Sequence, residues 1–185
     1  MIGPMFILVG PSASGKTTFA NRLAEELGLR RAVTTTTRQP RPGEGPDAYH
    51  FLTPTEFQEV KMVECISYAG NKYGTSCAEA DMSSLAILEP VGAQMLQNYC
   101  QQKGRPCFII GLSVSTEEQV KRMMRRGDSP CSIENRLQED RRVFRVMPAI
   151  CNTLIMNNEF TAAYAAVKAY IVAQVSSTRE ESLHE

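Results

Sequence analysis

Gly10-Pro11-Ser12-Ala13-Ser14-Gly15-Lys16-Thr17 fits the spacing GxxxxGK[ST]. The glycines let the backbone fold around a phosphate with its N–H groups turned inward. The helix that opens at the end of the motif adds a partial positive charge. At that spacing Lys16 reaches the β- and γ-phosphates of a nucleotide and the Thr17 hydroxyl ligates Mg²⁺, with Thr18 just beyond. The bland alternative is a plain glycine-rich turn. Its context counts against that: the apolar run Met5–Val9 precedes it and the amphipathic stretch Lys16–Leu27 follows, which is the strand–loop–helix arrangement the chemistry requires. Such a loop identifies a phosphoryl donor, ATP, and leaves the acceptor open.

Two further groups of residues could act with it. Glu89 closes the apolar stretch Leu85-Ala86-Ile87-Leu88, where an acid can hold Mg²⁺ or its water, although strand ends often carry a carboxylate for no such reason. Arg38 and Arg41 lie three apart beside the hydroxyl-rich run Thr34-Thr35-Thr36-Thr37. Guanidinium forks suit a phosphate dianion, and Tyr49 and Tyr73 could add hydroxyl donors; a solvated basic loop would look the same.

The elements that must position these groups alternate. Strands are expected at Met5–Val9, 32–36, 84–88, 107–112 and 154–156, the last in the core. Helices are expected at Lys16–Leu27 (stopped by Gly28), 91–103, 115–127, 132–146 (ending before Pro148) and 160–175, with a polar, frayed tail at 176–185. Thr53-Pro54-Thr55-Glu56 is a capping box opening a short helix, and so is Ser115-Thr116-Glu117-Glu118; 64–69 and 72–75 form a hairpin about Gly70-Asn71. Alternating strands and helices give an α/β fold with a three-layer parallel-sheet core. The short, hairpin-linked strands of 34–76 read as an insertion in it.

Composition bounds the rest. A chain of 185 residues makes one domain with a real core. A formal net charge of zero argues against nucleic-acid or acidic-membrane binding. No basic n-region and no apolar run long enough to span a bilayer is present, so a cytoplasmic location is expected. The six cysteines form no CxxC pair and read as free thiols. His50 and His184 have no partners at ligand or triad spacing.

Thr35-Thr36-Thr37-Arg38-x-Pro40-Arg41-x-Gly43-Glu44, Tyr49-x-Phe51 and Tyr73-Gly74-Thr75-Ser76 resemble the signature of guanylate kinases. The resemblance continues through Arg126-Gly127, Ile133-x-x-Arg136-Leu137 and Ile155-Met156-Asn157. It implies a P-loop core (4–33, 77–125 and 141–175), an acceptor-binding insertion (34–76) and a lid (126–140). By the same resemblance, Arg38, Arg41, Tyr49 and Tyr73 hold the acceptor phosphate, and Thr34, Glu64 and Thr75 read the base. Guanine offers N1–H and N2–H₂, which one carboxylate accepts together; adenine lacks that donor pair. Arg122, Arg126 and Arg136 match active-site and lid arginines, whose part is to neutralise the γ-phosphoryl in flight, and Asn157 matches a position near the donor adenine. The implied reaction is Mg²⁺-dependent transfer from ATP to GMP.

Three departures stand out. Where the family carries Asp-x-Asp, this chain has Glu89-Pro90-Val91, so one base-reading acid is missing. The loop before Tyr49 is a residue shorter, and Arg142 replaces a glutamate common among relatives. A related kinase with ribose bisphosphate as acceptor therefore stays open. A non-catalytic binding module would typically have lost the P-loop and lid residues, which are present here.

Overall fold

The computed structural model describes residues 3–40, 49–68 and 70–181. Strand β1 (Met5–Val9) is entirely buried and lies between β6 (Leu85–Ile87) and β7 (Cys107–Ser113), with β8 (Thr153–Met156) beyond β7; every pairing in this sheet is parallel. Successive side chains of a strand point to opposite faces, and β1 feeds two cores. Phe6 and Leu8 pack with Phe19 and Leu23 of α1 (Lys16–Leu27) and with Tyr164, Val167 and Ile171 of α8 (Phe160–Glu181). Met5, Ile7 and Val9 pack with Ala93, Leu96 and Cys100 of α4 (Pro90–Gln102) and Met147 of α7 (Met147–Ile150). Helices therefore cover both faces, giving the expected three layers. Each large apolar side chain withdrawn from water contributes about 1.5–3 kcal/mol.

A second, mixed sheet has the order β3-β2-β5-β4, from β2 (Thr35–Thr36), β3 (His50–Phe51), β4 (Met62–Tyr68) and β5 (Asn71–Ser76). β2 runs parallel to β3 and antiparallel to β5, and β4–β5 is the hairpin. Helix α2 (Pro54–Glu59), with its capping box formed by Thr53 and Glu56, joins β3 to β4 within this sheet, and α3 (Cys77–Met82), capped by Ser76, leads from β5 to β6 of the parallel sheet. Neither α3 nor β3 was expected from the sequence; six and two residues are too short to show a period. Arg126 is the C-cap of α5 (Thr116–Arg125), and Arg136 lies in α6 (Pro130–Val143).

Several boundaries depart from expectation. The strand at 32–36 shortens to β2. The helix expected to end before Pro148 ends at Val143; a 3₁₀ turn, Phe144–Val146, leads into α7, whose first turn contains that proline. Proline is tolerated there because its missing N–H would have no intrahelical partner. The tail is not frayed from residue 176: α8 runs to Glu181, and the hydroxyls of Ser176, Ser177 and Thr178 donate to carbonyls one turn back. No Gly or Pro interrupts it. β8 is the expected last strand of the core sheet; it forms the sheet's edge, with Ile155 packed against the core and Leu154 and Met156 about half exposed.

Candidate active site

The phosphate loop leaves β1 and enters α1. A Cβ on Gly10 would collide with the Leu112 carbonyl oxygen, so only glycine lets the loop start this close to β7. Ala13 and Gly15, at φ 56° and 94°, are left-handed and turn the backbone in on itself. Two residues brace it. Asn157, buried just beyond β8, donates through Nδ2 to the Ser14 carbonyl at 2.8 Å. Arg122 of α5 donates to the carbonyls of Ala13 (3.2 Å) and Asn157 (2.7 Å) and is aligned by Glu118 at 3.0 Å. In the structure both shape the loop. Ser14 is buried inside it, and Thr17 and Thr18 stand exposed at its mouth.

Lys16 Nζ donates to the carbonyls of Gly10 (2.5 Å) and Pro11 (2.8 Å) and lies 5.9 Å from the centroid of the Phe144 ring. Burial pulls its pKa down to about 8, against the upward pull of Asp140 and Glu89. Asp140, which sequence reasoning missed, accepts from the backbone N–H of Ser12 at 3.0 Å.

In the second sheet the hairpin pairs Glu64 with Thr75, whose hydroxyl donates to Oε1 at 2.8 Å; both are buried. Glu64 Oε2 lies against the first turn of α4, where a Cβ on Gly92 would come within 3.4 Å of it. Desolvation raises the Glu64 pKa, opposed by the Thr75 hydrogen bonds; Glu89 pushes it further up. Arg38, Tyr49 and Tyr73 form one cluster: the guanidinium sits 5.2 Å from the Tyr49 ring centroid, and the two tyrosine rings are 6.2 Å apart, edge to face. The Thr34 carbonyl accepts from the His50 N–H at 2.9 Å, joining β2 to β3. Arg41 lies outside the described residues. His50 does have a partner, contrary to the sequence reading: Nε2 is 3.2 Å from the buried Glu79 carboxylate. Glu79 in turn accepts from Val33 N and Ser83 Oγ, linking insertion to core.

Glu89 lies between the two halves. It is the exposed N-cap of α4, its side chain makes no capping hydrogen bond, and its charge acts on both Lys16 and Glu64. The lid arginines are turned elsewhere: Arg126 pairs with Asp128, and Arg136 Nε is 3.9 Å from the same carboxylate. Among the described residues no group of three or more His, Cys, Asp or Glu could hold a metal. Exposed Thr17 and Glu89 at the loop mouth suit Mg²⁺, which takes one or two hard oxygen ligands from protein and the remainder from phosphates and water.

A parallel-sheet core with a P-loop at the end of its central strand, a mixed-sheet insertion and arginines on a helical flap define a P-loop phosphotransferase. The guanylate kinase family model matches residues 3–174, and the chain belongs to that family. The guanylate kinase of Wolbachia sp. subsp. Brugia malayi is 37% identical over 150 residues, covering 74% of this chain and 76% of its own. That of Schizosaccharomyces pombe is 34% identical over 182 residues, covering 88% and 87%. The crystal structure of guanylate kinase from Anaplasma phagocytophilum shares the fold, with a TM-score of 0.66 at 20% identity, over 94% of this chain and 87% of that one.

Proposed function

We propose that this chain transfers the γ-phosphoryl group of ATP to GMP, yielding ADP and GDP, as a Mg²⁺-dependent cytoplasmic enzyme. The observation that carries the reading is the buried Glu64–Thr75 pair, set against the first turn of α4 and within electrostatic reach of the P-loop through Glu89. A buried carboxylate is costly unless it meets donors. Guanine N1–H and N2–H₂ are two donors on one edge, and the Thr75 hydroxyl fixes the carboxylate that accepts them. The loop amides and Lys16 hold the donor phosphates. Arg38, Tyr49 and Tyr73, with Arg41, hold the acceptor phosphate in line. Arg126 and Arg136 leave Asp128 and swing in to balance charge on the group in transfer, while Arg122 keeps the loop in shape. Mg²⁺, held by Thr17 and Glu89, would supply further neutralisation of the donor phosphates. Six free thiols accord with a reducing compartment, and no described helix is long and apolar enough to cross a membrane. The family match favours GMP over ribose bisphosphate as the acceptor, and the retained Lys16 and lid arginines favour catalysis over a binding-only role.

The test is kcat/KM for GMP, AMP, CMP and UMP with MgATP, with ribose 1,5-bisphosphate as a fifth acceptor. GMP should lead by at least tenfold. Equal use of AMP, or turnover of ribose bisphosphate alone, overturns the reading.

A further inference from the structure

Asp140 has no part in the chemistry above, yet it touches the phosphate loop. Its Oδ2 accepts the Ser12 backbone N–H at 3.0 Å, and its Oδ1 accepts the Ser12 hydroxyl at 3.3 Å. Gln119 Nε2 donates to Oδ2 at 2.5 Å. Gln119 is 5% exposed on the core-facing side of α5, one turn before the buried Met123. A buried amide needs a partner, and here that partner is the Asp140 carboxylate. This negative charge is therefore held against an amide of an anion-binding loop.

Position along the loop gives the contact meaning. Ser12 follows Gly10 and Pro11, whose carbonyls hold the Lys16 ammonium. Among the charges acting on Lys16, Asp140 contributes most. This is the end of the loop to which Lys16 reaches for the outer phosphates; the inner phosphates sit at the start of α1. On that placement, a diphosphate would leave Asp140 in place, whereas the terminal group of a triphosphate would approach the Ser12 amide that Asp140 occupies. Arg136 stands four residues before Asp140 in α6, on the same helix face, so a shift that lifts Asp140 off the loop carries Arg136 with it.

We propose that Asp140 is a donor-specificity residue: its carboxylate competes with the terminal phosphoryl group of the donor, weakening triphosphate binding relative to diphosphate binding. The proposal rests on the reading of the loop as the ATP site. Entry of the triphosphate exchanges Asp140 for a phosphate oxygen at Ser12 and frees α6 to bring Arg136 towards the transferring group.

Calorimetric titration of the full chain with MgADP and with the magnesium complex of the non-hydrolysable β,γ-imido analogue of ATP tests this. Wild type should bind both; failure to bind either overturns the donor reading and the proposal with it. Asp140→Asn keeps the shape and can still accept from Ser12, but removes the charge. It should tighten the analogue about fivefold, as expected for one charge pair a few ångströms apart in a water-exposed site, and change ADP less than twofold. Asp140→Ala should shift the ratio of the two constants the same way, and thermal unfolding of both variants establishes that they are folded. Equal shifts for both nucleotides, no shift, or a weakened analogue in folded Asp140→Asn would show that Asp140 merely braces the loop, and would overturn the proposal while leaving the donor reading intact.

Discussion

The Thr75 hydroxyl donates a 2.8 Å hydrogen bond to Glu64 Oε1 across the β4–β5 hairpin, and both side chains are buried. One oxygen of the carboxylate is thus committed to fixing its orientation, and the other lies against the opening of α4. On the proposed function, Glu64 would carry the base preference without the second acid of the family's Asp-x-Asp, where this chain has Val91.

Glu64→Gln should lower kcat/KM for GMP by ~1–3 kcal/mol, roughly five- to a hundred-and-sixtyfold, with little effect on AMP. Loss of GMP preference alongside an unchanged AMP rate is the expected pattern; a retained preference refutes the role. The same variant should be more stable than wild type at neutral pH. Burial raises the folded-state pKa of Glu64, so the folded chain holds a proton that the unfolded chain has released. Stability from this group therefore falls as pH rises from the ordinary carboxylate value through the raised one, and stays lower above it. Urea unfolding of both proteins across pH 4–8 measures it. On the proposed function the ionised form accepts from guanine, so GMP use should also decline on the acid side before an ordinary carboxylate would titrate.

Lys16→Met should abolish most turnover, by orders of magnitude, and leave a folded protein. Wild-type Lys16 has its pKa pulled from 10.5 to about 8 by burial. Below about pH 8 it is charged in both states and the desolvation cost is fully present; between about 8 and 10.5 the folded chain alone has lost the proton, and stability recovers as pH rises. Lys16→Met should therefore melt higher at pH 7, by at most ~3 kcal/mol, and the gap should close towards pH 10. A lower melting temperature at pH 7 would contradict this.

Gly15→Ala forces a side chain into φ 94° and places a Cβ 2.7 Å from Asn157 Nδ2. The cost should be ~1–3 kcal/mol, with a raised KM for ATP. Gly28→Ala is the control: its φ of 64° carries backbone strain, but no atom lies within 4 Å. It should destabilise without altering KM. Equal kinetic effects from both would remove the loop from the explanation.

Arg126 and Arg136 rest on Asp128; on the proposed function they would move inward on substrate binding. Small-angle scattering should give a smaller radius of gyration with a bisubstrate analogue bound than without. An unchanged profile under confirmed binding would argue against closure.

The core was legible because β1 is a continuous apolar run and α1 has its glycine stop. The donor loop was legible because eight consecutive residues carry it. What escaped depends on contacts distant in sequence. Asp140 meets Ser12 across 128 positions, and nothing in the pattern of α6 marks it. Gln119 did leave a trace, a polar residue one turn before Met123 on the buried side of an amphipathic helix. His50 looked incidental because Glu79 reaches it only through α3, a six-residue helix. The tail was misjudged because serine and threonine are weak helix formers, and their hydroxyl bonds to the preceding turn are not visible in composition.

β1 belongs to both cores and is hydrogen-bonded along both edges. Its amides can exchange with solvent only when the whole domain comes apart, so they should be among the slowest in the molecule. The phosphate loop leaves directly from that strand. The Glu64–Thr75 pair sits instead on a hairpin of the second sheet, outside the parallel one. On the proposed function, the donor would be held next to the strand expected to open last and the acceptor on a hairpin expected to open earlier. Deuterium uptake at β4–β5 should run ahead of β1 by orders of magnitude, and acceptor binding should slow the hairpin selectively.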